Sequence, residues 1–173
     1  MSRVRTLAPT WAPLGIGDAD VRRTLLEMEN VLLAWLGTEY GSGQRCRGVA
    51  ADCIGFACGA LDDVDGRSRA KDPRVPADVC LHDPERARAA IRDLLEVYEP
   101  WEPVRDLLQP FDLIVAGPAG GGPGHALLVG PRRNTLWQCS QARGVHWSGW
   151  ALGPGYESLH AAYRLGDRER WLR

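Results

Sequence analysis

The sequence contains no long hydrophobic run and carries almost no net charge. No part of its 173 residues approaches the roughly 18 consecutive apolar residues of a membrane-spanning helix, so we expect no membrane insertion. The formal net charge is −1 and the arginines are scattered, which gives no basic surface for nucleic acid. Residues 1–15 lack the apolar core of a secretory signal, and we therefore expect synthesis in a reducing cytoplasm.

Cysteine is sparse and irregularly spaced. The five cysteines are an odd number and include no Cys-x-x-Cys pair; they are Cys46, Cys53, Cys58, Cys80 and Cys139. This pattern argues against a disulfide framework and does not have the usual spacing of zinc ligands. We therefore expect free thiols, no metal site and no cofactor.

Helical patterns are confined to the first part of the chain. Apolar residues at helical spacing predict a helix over residues 18–37. A Gly-rich stretch over residues 38–52 predicts a loop. A second helix is predicted to begin at or just before Cys53, with Asp52 near its N-cap. Residues 83–98 predict a third helix, which has a proline in its first turn.

Short apolar runs separated by turn residues follow. They predict the strands of an antiparallel meander, at residues 111–117, 125–130, 135–140 and 144–150. The C-terminal segment leaves two interpretations open: a helical turn around His160, or a last strand followed by a short helix. Helices followed by strands predict one α+β domain over residues 1–173, with its core at about 20–165.

One thiol and one histidine stand in positions suited to catalysis. At a helix start, the dipole and the backbone N–H groups favour a thiolate and can bind an oxyanion, which singles out Cys53. His125 follows the Gly-rich residues 117–124 and opens a predicted strand, where close approach is possible. His82 and His160 lie in a polar connection and near the C-terminus, so His125 is the candidate base.

The hairpin between the second and third predicted strands determines what faces His125. A four-residue loop at 131–134 would pair Gly130 with Thr135 and place Gln138 on the face of His125, diagonal to it and within reach. A three-residue loop would turn Gln138 to the other face. The turn residues favour the four-residue loop.

Three stretches together resemble the NlpC/P60 family. The stretch GTEYGSG…DCIGF resembles that family's Gly-x-x-Tyr, Gly-rich loop and Asp-Cys-Ser-Gly-Phe. Its Pro-Gly-Asp-Leu and His-Val-Gly-Ile-Tyr strands are similar to QPFDLIVA…GHALLVG, and its next strand is similar to LWQCSQARGV. The resemblance covers about residues 25–150 and is strongest to compact single-domain peptidases encoded beside phage tail and gene-transfer-agent genes.

The resemblance implies a papain-like α+β fold, with N-terminal helices packed on an antiparallel β-meander. It also implies a cysteine peptidase that cleaves the stem peptides of bacterial peptidoglycan without a cofactor. Cys53 matches the nucleophile, His125 the general base and Gln138 the third polar residue. Tyr40 matches a tyrosine whose hydroxyl lies near the nucleophile. Tyr40 and Asp52 are both expected on the substrate or oxyanion side of the site. The other four thiols are expected to be inert.

This chain departs from the family pattern at three positions. Ile54 stands where a serine is usual, Phe111 where a glycine is usual, and Gln138 where a histidine is most often found. If Gln138 does not orient the base, His146 is the next candidate.

Two other functions stay open beside the peptidase. One is a weak or inactive structural component of a tail or baseplate that keeps a papain-like shell; the other is a thiol acyltransferase or amidase of the same fold. The resemblance further implies a particle-associated protein, made in the bacterial cytoplasm and held by a tail hub or baseplate protein.

Overall fold

The computed structural model of the chain describes residues 18–66, 101–105, 108–118, 124–150 and 158–165, together with Glu85, Ala89, Ile91, Arg92 and Leu95. In these residues the helices are α1 (Asp18–Trp35) and α2 (Cys53–Asp65). The strands are β1 (Glu39–Tyr40), β2 (Arg45–Cys46), β3 (Ala50–Ala51), β4 (Trp101–Pro103), β5 (Leu113–Gly117), β6 (His125–Val129), β7 (Thr135–Ser140), β8 (Gly144–Gly149) and β9 (Ser158–Leu165).

The first two predicted helices are confirmed. In α1, Met28, Leu32 and Trp35 are buried at helical spacing, and the chain leaves the helix at Gly37 with a φ of +78°. Helix α2 begins at Cys53, as predicted, and the ten residues Cys53 to Asp62 are all buried. An apolar helix with no exposed face through these turns forms the centre of a core.

Helices α1 and α2 pack closely through one tryptophan. The Trp35 Nε1–H donates to Asp63 Oδ2 over 2.8 Å. Its ring meets Phe56 edge to face, with the ring centroids 5.8 Å apart. On the neighbouring turn of α2, a Cβ added at Gly59 would overlap the Trp35 ring. Glycine at this position therefore allows the helices to approach.

Residues 38–52 are not a simple loop, and that prediction was wrong. Strands β1, β3 and β2 form a small sheet in that order, with β1 parallel and β2 antiparallel to β3. Each strand has only two residues, too few to show an alternating pattern in the sequence.

The main sheet has six strands in the order β4-β9-β5-β6-β7-β8. The predicted antiparallel meander is confirmed for β5 to β8. Strand β9 returns to pair between β4 and β5, so the helical turn around His160 was wrong and the last strand was right. Its residues have no strong strand preference, and partners distant in sequence decide its conformation.

Two apolar clusters lie on opposite faces of this sheet. Alternate residues of the strands, such as Leu113, Ala126 and Leu128, join the cluster built around α2. The intervening residues, such as Leu127 and Leu136, form a second cluster. The fold is thus α+β, with helices packed on an antiparallel sheet, as predicted.

Part of the third predicted helix can be described. Glu85, Ala89, Ile91, Arg92 and Leu95 are helical; Ile91 is buried and Leu95 packs on the core. The rest of that helix, with Cys80 and His82, lies outside the described residues. No helix in the described part of the chain is both long and apolar enough to cross a bilayer. The single domain over residues 1–173 stays a prediction.

We expect Gly59→Ala to lower the free energy of unfolding by about 1–3 kcal/mol, because the added methyl group overpacks the contact with Trp35. This loss should exceed the gain of about 1 kcal/mol that alanine brings to a helix. Denaturant unfolding followed by circular dichroism measures it. Gly149→Ala is the control, since a Cβ there meets no atom within 4 Å. Equal stabilities of the two variants would contradict the packing argument.

Candidate active site

Asp52 fixes the start of α2. Its Oδ1 accepts a hydrogen bond from the Gly55 N–H at 2.6 Å, and its Oδ2 accepts one from the Gly43 N–H at 2.8 Å. The side chain is 1% exposed, so these bonds hold the Gly-rich segment and the first turn of the helix together. A Cβ at Gly55 would overlap the backbone carbonyl of Gln44, which explains the glycine in Asp-Cys-Ile-Gly-Phe.

Cys53 lies in the first turn of α2 and is fully buried. The sequence around Cys53 did not indicate this burial, which arises because β6 of the main sheet packs against the start of α2. Burial, and secondarily the negative charge of Asp52, raise the pKa of the Cys53 thiol well above its ordinary value. Hydrogen bonds from the backbone N–H groups of Ala126 and Ile54 act in the opposite direction. The thiol is therefore neutral at pH 7.

His125 and Gln138 meet on neighbouring strands, as the four-residue hairpin predicted. Leu128 pairs with Trp137, and the Gly130 N–H donates to the Thr135 carbonyl over 2.9 Å. The His125 Nε2 and Gln138 Oε1 are 2.9 Å apart.

This hydrogen bond assigns the tautomer of His125. An amide oxygen only accepts hydrogen bonds, so the proton of the neutral ring is assigned to Nε2. The lone pair is then on Nδ1, and this nitrogen is the one able to take a proton from a thiol.

Burial lowers the pKa of His125 to about 4, although the hydrogen bond with Gln138 raises it in part. A further lowering comes from His146, which faces Gln138 across the β7–β8 pair. His125 is fully buried and neutral at pH 7. The site therefore rests as a neutral thiol and a neutral imidazole.

The start of β6 is where the two halves of the site come together. Ala126 belongs to the cluster around α2, and its N–H donates a hydrogen bond to the Cys53 sulfur. His125 is the residue just before it, the first of β6, with its side chain on the opposite side of the strand. The thiol and the ring therefore flank the same strand end.

Tyr40 lies on the thiol side of the site. It is half-buried in β1 and packs on the core. Burial, and secondarily the negative charge of Asp52, raise the pKa of the Tyr40 hydroxyl. Tyr40 pairs with Ala51 of β3, two residues before Cys53. All five candidate residues thus lie around one region, and their roles stay predictions.

The remaining thiols have separate surroundings. Cys139 donates its S–H to the Ala51 carbonyl over 3.0 Å, which fastens β7 to the segment before Cys53. Burial raises the pKa of Cys139 to about 12 and that of Cys58 to about 12. Cys46 is exposed. In the described part of the chain, no group of three or more His, Cys, Asp and Glu residues could hold a metal ion.

Sequence reasoning missed Ser148. The Gln138 Nε2–H donates to the Ser148 Oγ over 3.2 Å, so the amide is held at both ends. The β7–β8 register could have revealed it, since Leu136 pairs with Ser148 and residues 136 and 138 share a face.

The departure at Phe111 has a structural cost. Phe111 has a φ of +61°, in the left-handed region that glycine adopts without strain. Its ring is fully buried. The next residue, Asp112, is held by two hydrogen bonds from Arg164 of β9, at 3.1 and 3.0 Å. Burial and this ion pair keep the turn before β5 in place despite the strain.

Solved structures with a similar fold are NlpC/P60 proteins. One, from Staphylococcus aureus subsp. aureus Mu50 and described as similar to a lipoprotein, matches 91% of this chain and 43% of its own, with 19% identity and a TM-score of 0.53. A second, from Bacillus cereus ATCC 10987, matches 82% and 40%, with 18% identity and a TM-score of 0.54. The NlpC/p60 domain of the peptidoglycan hydrolase SagA matches 80% and 97%, with 16% identity and a TM-score of 0.50.

These likenesses show the fold. The chain has the papain-like fold of NlpC/P60 domains and spans less than half the length of the first two proteins. A scan of the sequence against models of protein families gave no match, and a search of curated proteins gave none.

The lowered pKa of His125 makes stability depend on pH. The unfolded chain takes up this proton near pH 6.5, whereas the folded chain takes it up near pH 4. The stability contributed by the neutral buried ring is therefore present above pH 6.5 and is lost as the pH falls toward 4. Thermal unfolding from pH 7 to pH 4 should show a smaller fall in Tm for His125→Gln than for the natural chain. Equal falls in Tm for the two proteins would contradict the role of His125 in this pH dependence.

Proposed function

We propose that this protein is a cysteine hydrolase that cleaves the stem peptides of bacterial peptidoglycan. The observation that carries the proposal is the hydrogen bond from His125 to Gln138, which leaves Nδ1 as the acceptor at the strand end that touches the Cys53 thiol. The fold supports the substrate class, because the matching SagA domain belongs to a peptidoglycan hydrolase.

In the proposed mechanism, His125 Nδ1 takes the thiol proton and the Cys53 sulfur attacks the carbonyl carbon of the peptide bond. Backbone N–H groups in the first turn of α2 bind the oxyanion of the tetrahedral intermediate. The imidazolium returns the proton to the leaving amine, and a thioester remains. Water, deprotonated by His125, then hydrolyses the thioester and releases the carboxylate and the free thiol.

The neutral resting state sets the cost of the first step. A raised thiol pKa and a lowered imidazole pKa both oppose proton transfer from Cys53 to His125. The N–H groups of Ala126 and Ile54 and the carbonyl of Gln138 favour the charged pair. Substrate must reach a thiol and a ring that are both fully buried, so binding has to open the site.

A second candidate function is a structural component with an inactive papain-like shell. The full burial of Cys53 and His125 favours it, together with pKa shifts that keep both groups uncharged. These features suit a packed core as well as a resting enzyme.

For the setting of the enzyme, we propose a phage tail or gene-transfer-agent particle, in which a hub or baseplate protein holds the chain. The support is the resemblance of its motifs to the compact peptidases encoded beside such genes. Mass spectrometry of purified particles tests it, and absence of the chain from them would remove the setting while leaving the hydrolase proposal in place.

We expect Cys53→Ala to abolish hydrolysis, with kcat falling by roughly a thousandfold or more, because the nucleophile is lost. Digestion of purified cell walls, with the fragments identified by mass spectrometry, measures this and reveals the bond that is cut. Cys58→Ala is the matched control, since it removes an equally buried thiol of the same helix. A Cys53→Ala variant with natural activity would refute the mechanism.

Gln138→Ala should lower kcat by roughly ten- to a hundredfold and leave KM nearly unchanged, because the amide contacts the base and not the peptide. Gln138→His should restore most of the rate, since a ring nitrogen can accept from His125 in the same register. Steady-state kinetics on a wall-derived peptide measures kcat and KM for the natural chain and both variants. An unchanged rate in Gln138→Ala would show that Gln138 does not orient His125, and His146 would be the next candidate for that role.

Iodoacetamide separates the two candidate functions. In an enzyme, Cys53 should be alkylated faster than Cys46, although Cys46 is exposed and Cys53 is buried, because the site must open and generate a thiolate. Peptide mapping after short exposure gives the order of labelling. Labelling of Cys46 first, with Cys53 modified only on unfolding, would favour the inactive shell.

A further inference from the structure

An exposed tryptophan ring borders a cleft between α1 and the β6–β7 hairpin. Trp147 of β8 is 52% exposed, whereas Trp137, its partner on β7, is 4% exposed. Directly opposed side chains lie on the same face of a sheet, so the two rings are neighbours on the side that carries α1. The other apolar walls of the cleft are Leu33 of α1, which is also exposed, and Pro131 of the hairpin. The Trp147 ring is therefore open to a ligand.

The hairpin that forms one wall of the cleft is tightly closed. The Gly130 N–H donates to the Thr135 carbonyl over 2.9 Å, and the Thr135 hydroxyl donates to the Arg132 carbonyl over 2.7 Å. A Cβ at Gly130 would overlap the Thr135 hydroxyl and crowd the Trp137 ring. The hairpin thus packs directly on Trp137, and the cleft is formed before a ligand arrives.

An ion pair spans the cleft and supplies its charged groups. The Arg132 guanidinium of the hairpin contacts the Glu29 carboxylate of α1. The two charges cancel, so the pair favours an uncharged ligand over an ion. The guanidinium has five N–H donors and its side chain is largely exposed, while a carboxylate can accept several hydrogen bonds. The cleft thus offers both donors and acceptors beside an aromatic ring.

A sugar ring has the matching surface. Its hydroxyl groups lie at the edge, where they can bond to the guanidinium and the carboxylate. Its C–H groups form a face that suits the negative face of an aromatic ring. We propose that the cleft binds the glycan strand of peptidoglycan, with the Trp147 ring stacked on a sugar. The proposal rests on the proposed function and adds to it a contact with the sugars of the wall.

The position of the cleft suits this substrate. Trp137 and Cys139 are two residues apart on one face of β7, a distance of roughly 7 Å. The Cys139 S–H donates to the carbonyl of Ala51, two residues before Cys53, and all four residues belong to one apolar cluster. An extended peptide spans about 3.3–3.6 Å per residue, so a stem peptide of a few residues covers distances of this order. A sugar in the cleft can thus carry a peptide that reaches the thiol.

The test is titration of the chain with soluble glycan strands from which an amidase has removed the stem peptides, followed by NMR. We expect Trp147→Ala to weaken binding roughly tenfold or more, and Trp147→Phe, which keeps a flat ring, to retain most of the affinity. Leu26→Ala is the control, since Leu26 is an exposed apolar residue of α1 that does not line the cleft. Absence of binding by the natural chain, or equal binding by Trp147→Ala, overturns the proposal.

Hydrolysis distinguishes this proposal from the proposed function. The ratio of kcat/KM on intact walls to kcat/KM on a free stem peptide should fall roughly tenfold in Trp147→Ala and stay at the natural value in Leu26→Ala. An unchanged ratio in Trp147→Ala overturns the proposal. A Trp147→Ala chain that keeps glycan binding but no longer copurifies with a particle would assign the cleft to a protein partner and overturn it as well. A natural chain that binds glycan strands but cleaves no stem peptide refutes the proposed function and leaves the cleft assignment in place.

Discussion

The double hydrogen bond of the Asp52 carboxylate is the constraint on which the site depends. One oxygen caps α2 at Gly55 and the other holds the Gly-rich segment at Gly43. A hydrogen bond to a buried charged group contributes about 1.5–3 kcal/mol, so the two together are a large share of a domain's stability. They make Cys53 the first residue of the helix, two residues after Ala51, which pairs with Tyr40. The rest of the site assembles against that fixed point.

The same carboxylate opposes the chemistry proposed for Cys53. Its negative charge lies next to the sulfur and raises the thiol pKa beyond what burial alone produces. The helix dipole and the N–H groups of Ile54 and Ala126 oppose this, but they do not overcome it in the closed structure. An ordered helix start is thus obtained at the expense of a ready thiolate, and the proposed mechanism requires the ion pair with His125 to form only when substrate changes the surroundings.

Local patterns predicted the features that depend on a few consecutive residues. The start of α2 follows from Asp52, and the face of Gln138 follows from the turn at residues 131–134. The strand around His160, the burial of Cys53 and the contact with Ser148 all depend on pairing between distant segments. Periodicity in one stretch carries no information about which strand lies beside it, so these were missed or wrong.

A neutral amide suits the electrostatics on the histidine side of the site. His125 is fully buried and His146 already lowers its pKa, so an imidazole at position 138 would place one more titrating group beside this ring. Glutamine does not titrate, and its oxygen accepts from Nε2 whether His125 is neutral or charged. Unlike a histidine, however, it offers two different ends to its neighbour. In the structure its oxygen faces Nε2 of His125 and its nitrogen donates to the Ser148 hydroxyl, so the side chain is held at both ends beside the ring.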